Sequence, residues 1–304
     1  MMPPKFKPMK GDPVKLHQVK FPVYASYKLD GVRCVNFDGV AYSNSLKLIP
    51  NKHVQEWAKK YTVLLDHLDG ELCVGSVTEP GLLRRTTSVV MSHDKDTPFT
   101  FYVFDEVGDG IAQKRIKDLE GCASWHGTEF IEANIFFVEQ VLINNLIELL
   151  AYEKKALDAG YEGIMLKSPT GKYKFGRASV KSAELLKRKP FVDREFQIVG
   201  WEPMYHNANE ATINELGRTA RSTAKAGLEI IPDLVGSLIC QVSDTDKRTF
   251  NVGTGFDNKT REDLYNMRDE LTKYKAKIKY FEQGKIGGIP ELPVFLDLRY
   301  PEDT

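Results

Sequence analysis

The chain has 304 residues, 42% of them hydrophobic, which is enough for two domains with their own cores. Its 42 lysines and arginines balance 42 aspartates and glutamates, so the net charge by itself gives no sign of a nucleic-acid partner. The longest apolar runs fall short of the roughly 20 residues of a membrane span, and the opening residues MMPPKFKPMKGD lack the apolar stretch of an export signal, which excludes an integral membrane protein and predicts an unexported one.

The first part of the chain predicts short strands that alternate with helices. Residues 21–27, 34–37 and 99–104 are rich in β-branched and aromatic side chains, which is typical of strands. Asp30-Gly31 and Asp38-Gly39 are turn signals between them. Leucines at helical spacing predict a helix over residues 139–159, with Gly160 as its stop.

Local charge changes near the middle of the chain. Residues 163–190 contain a single acid, Glu184, and these cations: Lys167, Lys172, Lys174, Arg177, Lys181, Lys187, Arg188 and Lys189. Such an excess can neutralise nucleic-acid phosphates, although a solvated basic face would have the same composition. Because the residue pattern changes after Lys189-Pro190, we expect a domain boundary that divides residues 1–190 from residues 191–304.

The second part predicts a small β domain. Strand-like runs cover residues 196–201, 237–242, 250–252 and 294–298. One helix interrupts them, with a capping box at Thr260 and Asp263 and an apolar stripe formed by Leu264, Met267, Leu271 and Tyr274. These elements favour a Greek-key barrel of the OB type, although an SH3-like barrel would produce a similar pattern.

A polar insertion at about residues 203–232 is longer than ordinary loops in compact domains. It carries Arg218, Arg221 and Lys225, together with asparagines and threonines that can bind phosphates or bases. Loops of this length are either functional or disordered, and the residues alone do not decide between the two.

The four cysteines Cys34, Cys73, Cys122 and Cys240 are scattered and form no CxxC pair. We interpret them as reduced core thiols rather than as metal ligands or disulfide partners.

The segment Lys28-Leu29-Asp30-Gly31-Val32-Arg33 carries the strongest functional signal. KxDGxR is the signature of nucleotidyltransferases that form lysyl-nucleotide intermediates, and the whole chain resembles the compact viral and bacteriophage-type ATP-dependent DNA ligases. The resemblance implies an α+β nucleotidyltransferase (adenylation) domain with antiparallel sheets over residues 1–190. An OB-fold β-barrel domain over residues 191–304 then follows, with the insertion as a latch-like hairpin.

Further motifs of the same family follow in order. They are Asp69-Gly70-Glu71-Leu72, Phe104-Asp105, residues 162–167 (EGIMLK) and residues 186–189 (LKRK). The segment 290–303, with Arg299, resembles the last motif but does not keep its usual Arg-x-Asp-Lys spacing. Taken singly, each motif also has a structural interpretation as a hairpin turn, a helix terminus or a core aromatic residue, and it is their order that favours function.

The resemblance implies that Lys28 attacks ATP and becomes lysyl-AMP. It assigns catalytic roles to Lys28, Glu71, Glu162, Lys187 and Lys189, and nucleotide contacts to Ser26, Lys28, Arg33, Glu71, Phe104, Lys187, Lys189 and Arg299. Glu71 and Glu162 are the expected ligands of Mg²⁺, for which Mn²⁺ can substitute. An amine attacks phosphorus only when it is deprotonated, so we expect Arg33, Lys187, Lys189 and the metal to lower the pKa of Lys28.

The expected partner is nicked duplex DNA, bound by a monomer in the cytoplasm or nucleoid, including that of a virus-infected cell. By resemblance Arg177 engages the 5′-phosphate of the nick. Family members commonly have Ser-Arg soon after the first motif, whereas this chain has Ser43-Asn44, so Asn44 would contact DNA without adding charge. The remaining expected DNA contacts are Arg33, Arg218, Arg221 and Lys225.

Four alternatives share part of this pattern. An mRNA guanylyltransferase has KxDGxR, but its fourth motif normally begins Asp-Gly where this chain has Glu162-Gly163. An RNA ligase is disfavoured by the predicted barrel and latch, and NAD⁺ as donor by the short segment before Lys28. A non-catalytic OB-fold nucleic-acid-binding protein is disfavoured because Lys28, Glu71 and Glu162 are all present.

Overall fold

The structure is a computed structural model that describes residues 2–189, 192–213, 219–222, 224, 227–281 and 288–300. The chain divides into two compact units, an N-terminal unit of Met1–Lys189 and a C-terminal unit of Pro190–Thr304. Within the described ranges, no helix is both long enough and apolar enough to cross a membrane.

The N-terminal unit contains ten strands, six α-helices and a short 3₁₀ helix (Leu16–Gln18) among its described residues. The strands are β1 (Asp12–Pro13), β2 (Val23–Tyr27), β3 (Val32–Phe37), β4 (Val40–Ser43), β5 (Leu68–Cys73), β6 (Thr100–Glu106), β7 (Ile135–Phe137), β8 (Val141–Ile143), β9 (Ile164–Lys167) and β10 (Leu186–Arg188). The helices are α1 (Lys52–Lys60), α2 (Thr62–Leu65), α3 (Leu82–Val90), α4 (Ala112–Trp125), α5 (Gly127–Glu132) and α6 (Leu146–Asp158).

These strands form two five-stranded sheets. One has the order β1-β10-β9-β2-β8 and the other β4-β3-β5-β6-β7, and both are antiparallel except for the parallel pairs β1–β10 and β6–β7. Each sheet has its own core, built around Leu72 and Phe101 in one and around Leu149 and Leu166 in the other. The predicted α+β class with antiparallel sheets is confirmed.

The two predicted Asp-Gly turns have different structures. Asp38 and Gly39 close the two-residue hairpin between β3 and β4, both with positive φ, as a type I′ turn requires. Asp30-Gly31 connects β2 to β3, which lie in different sheets, so the hairpin interpretation of that signal is wrong. The connection that contains Lys28 therefore passes from one sheet to the other.

The predicted helix over residues 139–159 begins later than expected. The side chain of Asn145 accepts a hydrogen bond from the Glu148 amide, 3.0 Å away, and caps α6 at its first turn. Residues Val141–Ile143 instead form β8 and pair with β2. The leucine spacing overestimated the helix because Leu142 belongs to this edge strand.

The C-terminal unit is rich in β structure. Its elements are β11 (Val192–Asn207), β12 (Ala211–Ile213), β13 (Thr219–Arg221), β14 (Leu228–Gln241), β15 (Thr249–Val252), α7 (Asn258–Asn266), β16 (Lys275–Phe281) and β17 (Glu291–Arg299). Five of the strands form a sheet in the order β15-β14-β11-β16-β17. The OB-type expectation agrees with this arrangement, but the described ladders do not close into the predicted barrel. Thr254, which follows β15, forms an isolated parallel bridge with Val294 of β17.

The helix of this unit is capped one turn before the predicted box. Asp257, not Thr260, is the N-cap, and its carboxylate accepts a hydrogen bond from the Thr260 amide at 2.7 Å. The helix ends at Asn266, and Tyr274 directly precedes β16. The apolar stripe therefore spans a helix, a short 3₁₀ turn and the start of a strand.

The polar insertion contains a hairpin. Strands β11 and β14 pair out to Asn207 and Leu228, and β12 pairs with β13 beyond them. The Asn209 amide donates hydrogen bonds to the carbonyl oxygens of Ser222 and Ala224, each at 3.0 Å. Two predicted DNA contacts in the insertion, Arg218 and Lys225, lie outside the described residues.

Candidate active site

A cavity of about 430 Å³ lies in the N-terminal unit. It brings together most of the residues to which the motifs assign chemistry. Those that line it are Ser26, Lys28, Arg33, Asn44, Glu71, Phe104, Arg177 and Lys187. Motifs that lie far apart in sequence thus meet around one space large enough for a small ligand.

Lys28 lies just beyond the end of β2, where its backbone amide donates a hydrogen bond to the Gly163 carbonyl at 2.9 Å. Gly31 is required because a Cβ there would lie 2.3 Å from the Leu72 carbonyl oxygen, on β5 beside Glu71. Gly163 has a φ of +151°, and a Cβ there would lie 2.3 Å from the Arg188 carbonyl oxygen. These glycines let the first and fourth motifs lie close to the strands that carry the others.

Glu162 is shared by two lysines. Lys28 Nζ donates to one carboxylate oxygen and Lys189 Nζ to the other, and the three side chains are between 11% and 22% exposed. Burial lowers the pKa of Lys28, but Glu162, Glu71 and Asp30 raise it by more, so the net pKa lies above its ordinary value. Among the described residues the carboxylates have the larger effect on this pKa, and the lowering expected from the cations together with a bound metal stays a prediction.

Strand β10 carries Lys187, and Lys189 directly follows the end of the strand. The residue between them, Arg188, forms an ion pair with Glu153 of α6, with Nε 2.6 Å from Oε1. Glu153 is 5% exposed, so this pair fixes β10 against the helix from the other side. Glu153 belongs to no motif and was not predicted as a supporting residue.

Arg33 is largely committed to protein contacts. Its guanidinium binds both oxygens of Asp69, at 2.9 and 2.5 Å, and donates to the Met9 carbonyl at 2.5 Å. The Tyr173 hydroxyl donates to the same Asp69 carboxylate at 2.5 Å. Burial lowers the pKa of Arg33, but Asp69 raises it by more, so the guanidinium stays charged and its charge is largely neutralised within the protein.

Phe104 occupies an irregular position in β6. Asp69 pairs with Asp105 and Gly70 with Val103, so Phe104 is the extra residue of a β-bulge, where side chains are commonly re-aimed. Its carbonyl oxygen accepts hydrogen bonds from Lys167 at 2.6 Å and from Gln140 at 3.0 Å. The ring lines the cavity, while Phe101 of the same strand is fully buried in the core.

Behind Phe104, a buried charge network holds the strand in place. Arg115 Nε lies 2.7 Å and Lys167 Nζ 3.0 Å from different oxygens of Asp105, and all three side chains are at least 96% buried. Burial raises the pKa of Asp105, but Lys167 and Arg115 lower it by more, so it remains a carboxylate. Buried charges that are paired in this way are costly to break, which favours a rigid position for Phe104.

Glu71 lies on β5 opposite Arg33, and burial raises its pKa to about 8 although Lys28 and Arg33 act in the opposite direction. In the part of the chain that the structure describes, no three His, Cys, Asp or Glu side chains gather in a group that could bind a metal.

The other predicted site residues belong to the C-terminal unit. Arg299 Nε lies 3.0 Å from Glu195 and its Nη1 lies 3.1 Å from Asp297. Arg221 donates to the Asn209 carbonyl within the insertion. In both cases the guanidinium has a partner inside its own unit.

Several residues that line the cavity were not predicted to do so. They are Lys10, Gly11, Tyr27, Leu29, Met165, Lys167 and Leu185. Met165 and Lys167 lie inside the fourth motif, and their place in β9, which pairs with β2, was a usable signal. Lys10 lies in no motif, and only the three-dimensional structure places it at the cavity.

Comparison with known proteins agrees with this geometry. A family model described as the ATP dependent DNA ligase domain matches residues 7–189. Two crystal structures of Chlorella virus DNA ligase-adenylate are 29% and 30% identical to the chain. The matches cover 96% and 97% of this chain and 99% and 98% of theirs, each with a TM-score of 0.55. A comparison with curated protein sequences gave no significant match.

A Lig E DNA ligase structure, from a study of DNA binding with a minimal scaffold, is also similar to this chain. It is 20% identical, covers 96% of this chain and 99% of its own, and has a TM-score of 0.65. At that identity the likeness supports the fold alone.

Proposed function

The chain belongs to the ATP-dependent DNA ligase family, and we propose that it seals nicks between a 3′-hydroxyl and a 5′-phosphate in duplex DNA through lysyl-AMP and DNA-adenylate intermediates. One observation carries the proposal. Lys28 lines a cavity together with Phe104 and Glu71, and its ammonium is held by Glu162. A lysine nucleophile, an aromatic face and a carboxyl group are thereby gathered for a nucleotide.

The reaction consists of three phosphoryl transfers. In the first, the lone pair of Lys28 Nζ forms a bond to the α-phosphorus of ATP, the bond to pyrophosphate breaks, and the nitrogen loses a proton. In the second, an oxygen of the 5′-phosphate attacks the same phosphorus, the phosphorus–nitrogen bond breaks, and Lys28 Nζ takes up a proton to leave as the amine. In the third, the 3′-hydroxyl attacks the 5′-phosphorus, loses its proton and releases AMP. Since the first step needs the neutral amine, the ion pair between Lys28 and Glu162 must open before attack.

The cavity suggests an orientation for the adenosine. We assign the Phe104 ring to the purine, because its carbonyl is fixed from behind by Lys167 and Gln140 while its face meets the cavity. We assign Glu71 to the ribose hydroxyls, since a carboxyl group with a pKa of about 8 can both donate and accept a hydrogen bond near neutral pH. Ser26, Lys187 and Lys189 complete the proposed nucleotide contacts.

Mg²⁺ is the proposed metal, and Glu162 is its proposed first ligand with Glu71 as the second. When bound, the ion would offset negative charge on the phosphates during displacement of pyrophosphate. Glu162 suits this role because Lys28 and Lys189 hold its two oxygens in place, whereas burial favours the neutral form of Glu71.

The proposed DNA contacts are divided between the units. Arg177 and Asn44 line the cavity, where they would meet the 5′-phosphate, and Arg33 supports this region through Met9. Arg218, Arg221 and Lys225 of the insertion are proposed to contact the duplex, and Arg299 to contact the pyrophosphate leaving group. We propose that the enzyme acts on nicked DNA as a monomer.

A nick-sealing assay tests the proposed function. The full chain with Mg²⁺ is incubated with a nicked duplex and ATP, GTP or NAD⁺, each labelled in the transferred nucleotide. We expect acid-stable labelling of the protein from ATP and joining of strands that carry a 5′-phosphate but not a 5′-hydroxyl. Labelling from GTP alone, or joining confined to RNA, would replace the proposal with one of the related activities.

The insertion is expected to contribute to DNA binding and not to adenylation. Asn207 and Leu228 are Cα partners, so residues 208–227 can be replaced by a two-residue Asn-Gly turn that closes β11 onto β14. We expect this variant to bind nicked duplex on the order of tenfold more weakly, since it loses several phosphate contacts. Formation of lysyl-AMP should stay within about twofold of the parent, because the cavity lies in the other unit. A gel-shift titration with unchanged affinity would contradict the proposed role.

A further inference from the structure

The cavity contains more positive charge than its acids balance. Three of the cations that line it have carboxylate partners in close contact: Lys28 with Glu162, Arg33 with Asp69 and Lys167 with Asp105. Three others, Lys10, Arg177 and Lys187, line the same space, where Glu71 is the only acidic residue. These three cations, the second group, form the part of the cavity lining whose charge is suited to bind an anion.

The second group has weak or no pairing among the residues that the structure describes. Arg177 lies 3.9 Å from Asp12, at the limit of an ion pair, and its side chain is 60% exposed. Neither Lys10 nor Lys187 forms a salt bridge within the described ranges. Burial lowers the pKa of Lys187, and Lys28 and Arg177 lower it further, although Glu162 and Asp12 act in the opposite direction.

The main chain of Lys10 is held on both sides. Its amide donates to the Gly176 carbonyl at 2.8 Å, its carbonyl accepts from the Ala178 amide at 2.9 Å, and Lys10 forms a parallel bridge with Arg177. The preceding carbonyl, that of Met9, accepts a hydrogen bond from Arg33 at 2.5 Å. The first motif and the loop that carries Arg177 thus fix Lys10 beside Arg177.

Gly11, which follows Lys10, lets the chain lie close to the side chains of Met165 and Lys187. A Cβ at Gly11 would lie 3.0 Å from the Met165 side chain and 3.4 Å from that of Lys187. The absence of a side chain therefore lets the segment before β1 lie against β9 and β10. Asn44, which also lines the cavity, contributes an amide and no charge.

We infer that Lys10 binds the 5′-phosphate of the nick together with Arg177, and that it provides the positive charge that Asn44 does not. The inference rests on the proposed function, which assigns the 5′-phosphate to Arg177, the bridge partner of Lys10. An ammonium is a suitable point-charge ligand for a phosphate dianion, and its flexible stem can reach past the exposed Arg177. The phosphates of ATP carry the same chemistry, and the experiment separates the two sources.

The test uses the full chain with four substitutions. Lys10→Met removes the charge and keeps the apolar stem, and Lys10→Arg restores a cation. Lys7→Met is the matched control, since Lys7 precedes Lys10 by three residues and is exposed. The double variant Lys10→Met with Asn44→Arg moves the cation to the other position that lines the cavity. Affinity is measured for nicked duplexes that end in a 5′-phosphate or a 5′-hydroxyl, and the rate of lysyl-AMP formation is measured against ATP concentration.

We expect Lys10→Met to weaken binding of the 5′-phosphate duplex by on the order of tenfold, the usual loss for one hydrogen bond to a charged group. Binding of the 5′-hydroxyl duplex and the KM for ATP should not change. Lys10→Arg and the double variant should recover most of the affinity, and Lys7→Met should match the parent. Circular dichroism of Lys10→Met should be unchanged, because the backbone hydrogen bonds of residue 10 do not involve its side chain.

Three results would overturn the inference. Equal weakening on both duplexes would make Lys10 a general backbone contact, a raised KM for ATP would place it on the nucleotide, and no change in any measurement would leave it without a role. If the parent chain neither forms lysyl-AMP nor seals nicks, the proposed function fails and the inference fails with it. If the parent does both and Lys10→Met behaves like Lys7→Met, the inference alone fails.

Discussion

Lys28→Ala is expected to abolish the lysyl-AMP adduct, leaving no protein-bound label from ATP above background. The variant lacks the nitrogen that is proposed to form the bond to the α-phosphorus, and Lys167 and Lys189 are engaged by Asp105 and Glu162. Lys28→Arg should be equally inactive in this step, since a guanidinium keeps the charge but is a poor nucleophile. The measurement is acid-stable incorporation of label, followed over time.

Lys28→Ala should still join a nick that already carries AMP on its 5′-phosphate. In that last step the nucleophile is the 3′-hydroxyl and not Lys28. This result would separate loss of the nucleophile from loss of the fold. Lys20→Ala, at an exposed position outside the motifs, serves as the control and should label at the parental rate. Persistent labelling of Lys28→Ala would disprove the assignment of Lys28.

Glu162→Gln is expected to slow lysyl-AMP formation by roughly 10²–10³-fold, or about 3–4 kcal/mol in the activation barrier. The reason is that Glu162 is the proposed first ligand of Mg²⁺, whose charge would stabilise the phosphoryl group during transfer. The substitution keeps the shape of the side chain but removes the charge that holds Lys28 and Lys189. It also replaces one acceptor oxygen with an NH₂ group, which cannot accept a hydrogen bond from an ammonium. Rates are measured in single-turnover reactions with labelled ATP.

Glu184→Gln is the matched control for this experiment. Glu184 belongs to the same basic segment and lies 3.6 Å from Lys174, but it does not line the cavity, so its loss should have little effect. Because Glu162 holds Lys28 and Lys189, its substitution has a second possible outcome. If the pair with Glu162 merely holds Lys28 in its protonated form, Glu162→Gln would label faster than the parent, and that result would contradict an essential role for the carboxylate.

The sequence motifs indicated residues that the structure gathers around one cavity, whereas the boundaries of several elements were predicted less well. Lys28, Glu71, Phe104 and Lys187 line one cavity because each motif keeps its residue types at fixed spacing, whatever the length of the segments between them. Hydrophobic periodicity placed the strands close to β2, β3 and β6 for a related reason, since alternation depends on neighbouring residues alone.

The errors arose where distant parts of the chain determine the outcome. Leu142 fits a helical stripe, but pairing with β2 makes it part of β8. Lys10 has no local pattern that marks it, because its position depends on Arg33 and on the loop around Arg177. Cations in the motifs predict a lowered pKa for Lys28, whereas in the structure Glu162, Glu71 and Asp30 raise it. Distances across the fold are not contained in the spacing of motifs.

The passage of the chain from β2 in one sheet to β3 in the other has a consequence for biosynthesis. The contact between Lys28 and Glu162 joins residues 134 positions apart, and Lys189 follows at the end of the same unit. A ribosome must therefore release nearly the whole N-terminal unit before the nucleophile has its carboxylate partner. Until then, a nascent chain carries the complete KxDGxR segment without the contact between Lys28 and Glu162, so we expect the proposed nucleotide site to assemble late in synthesis.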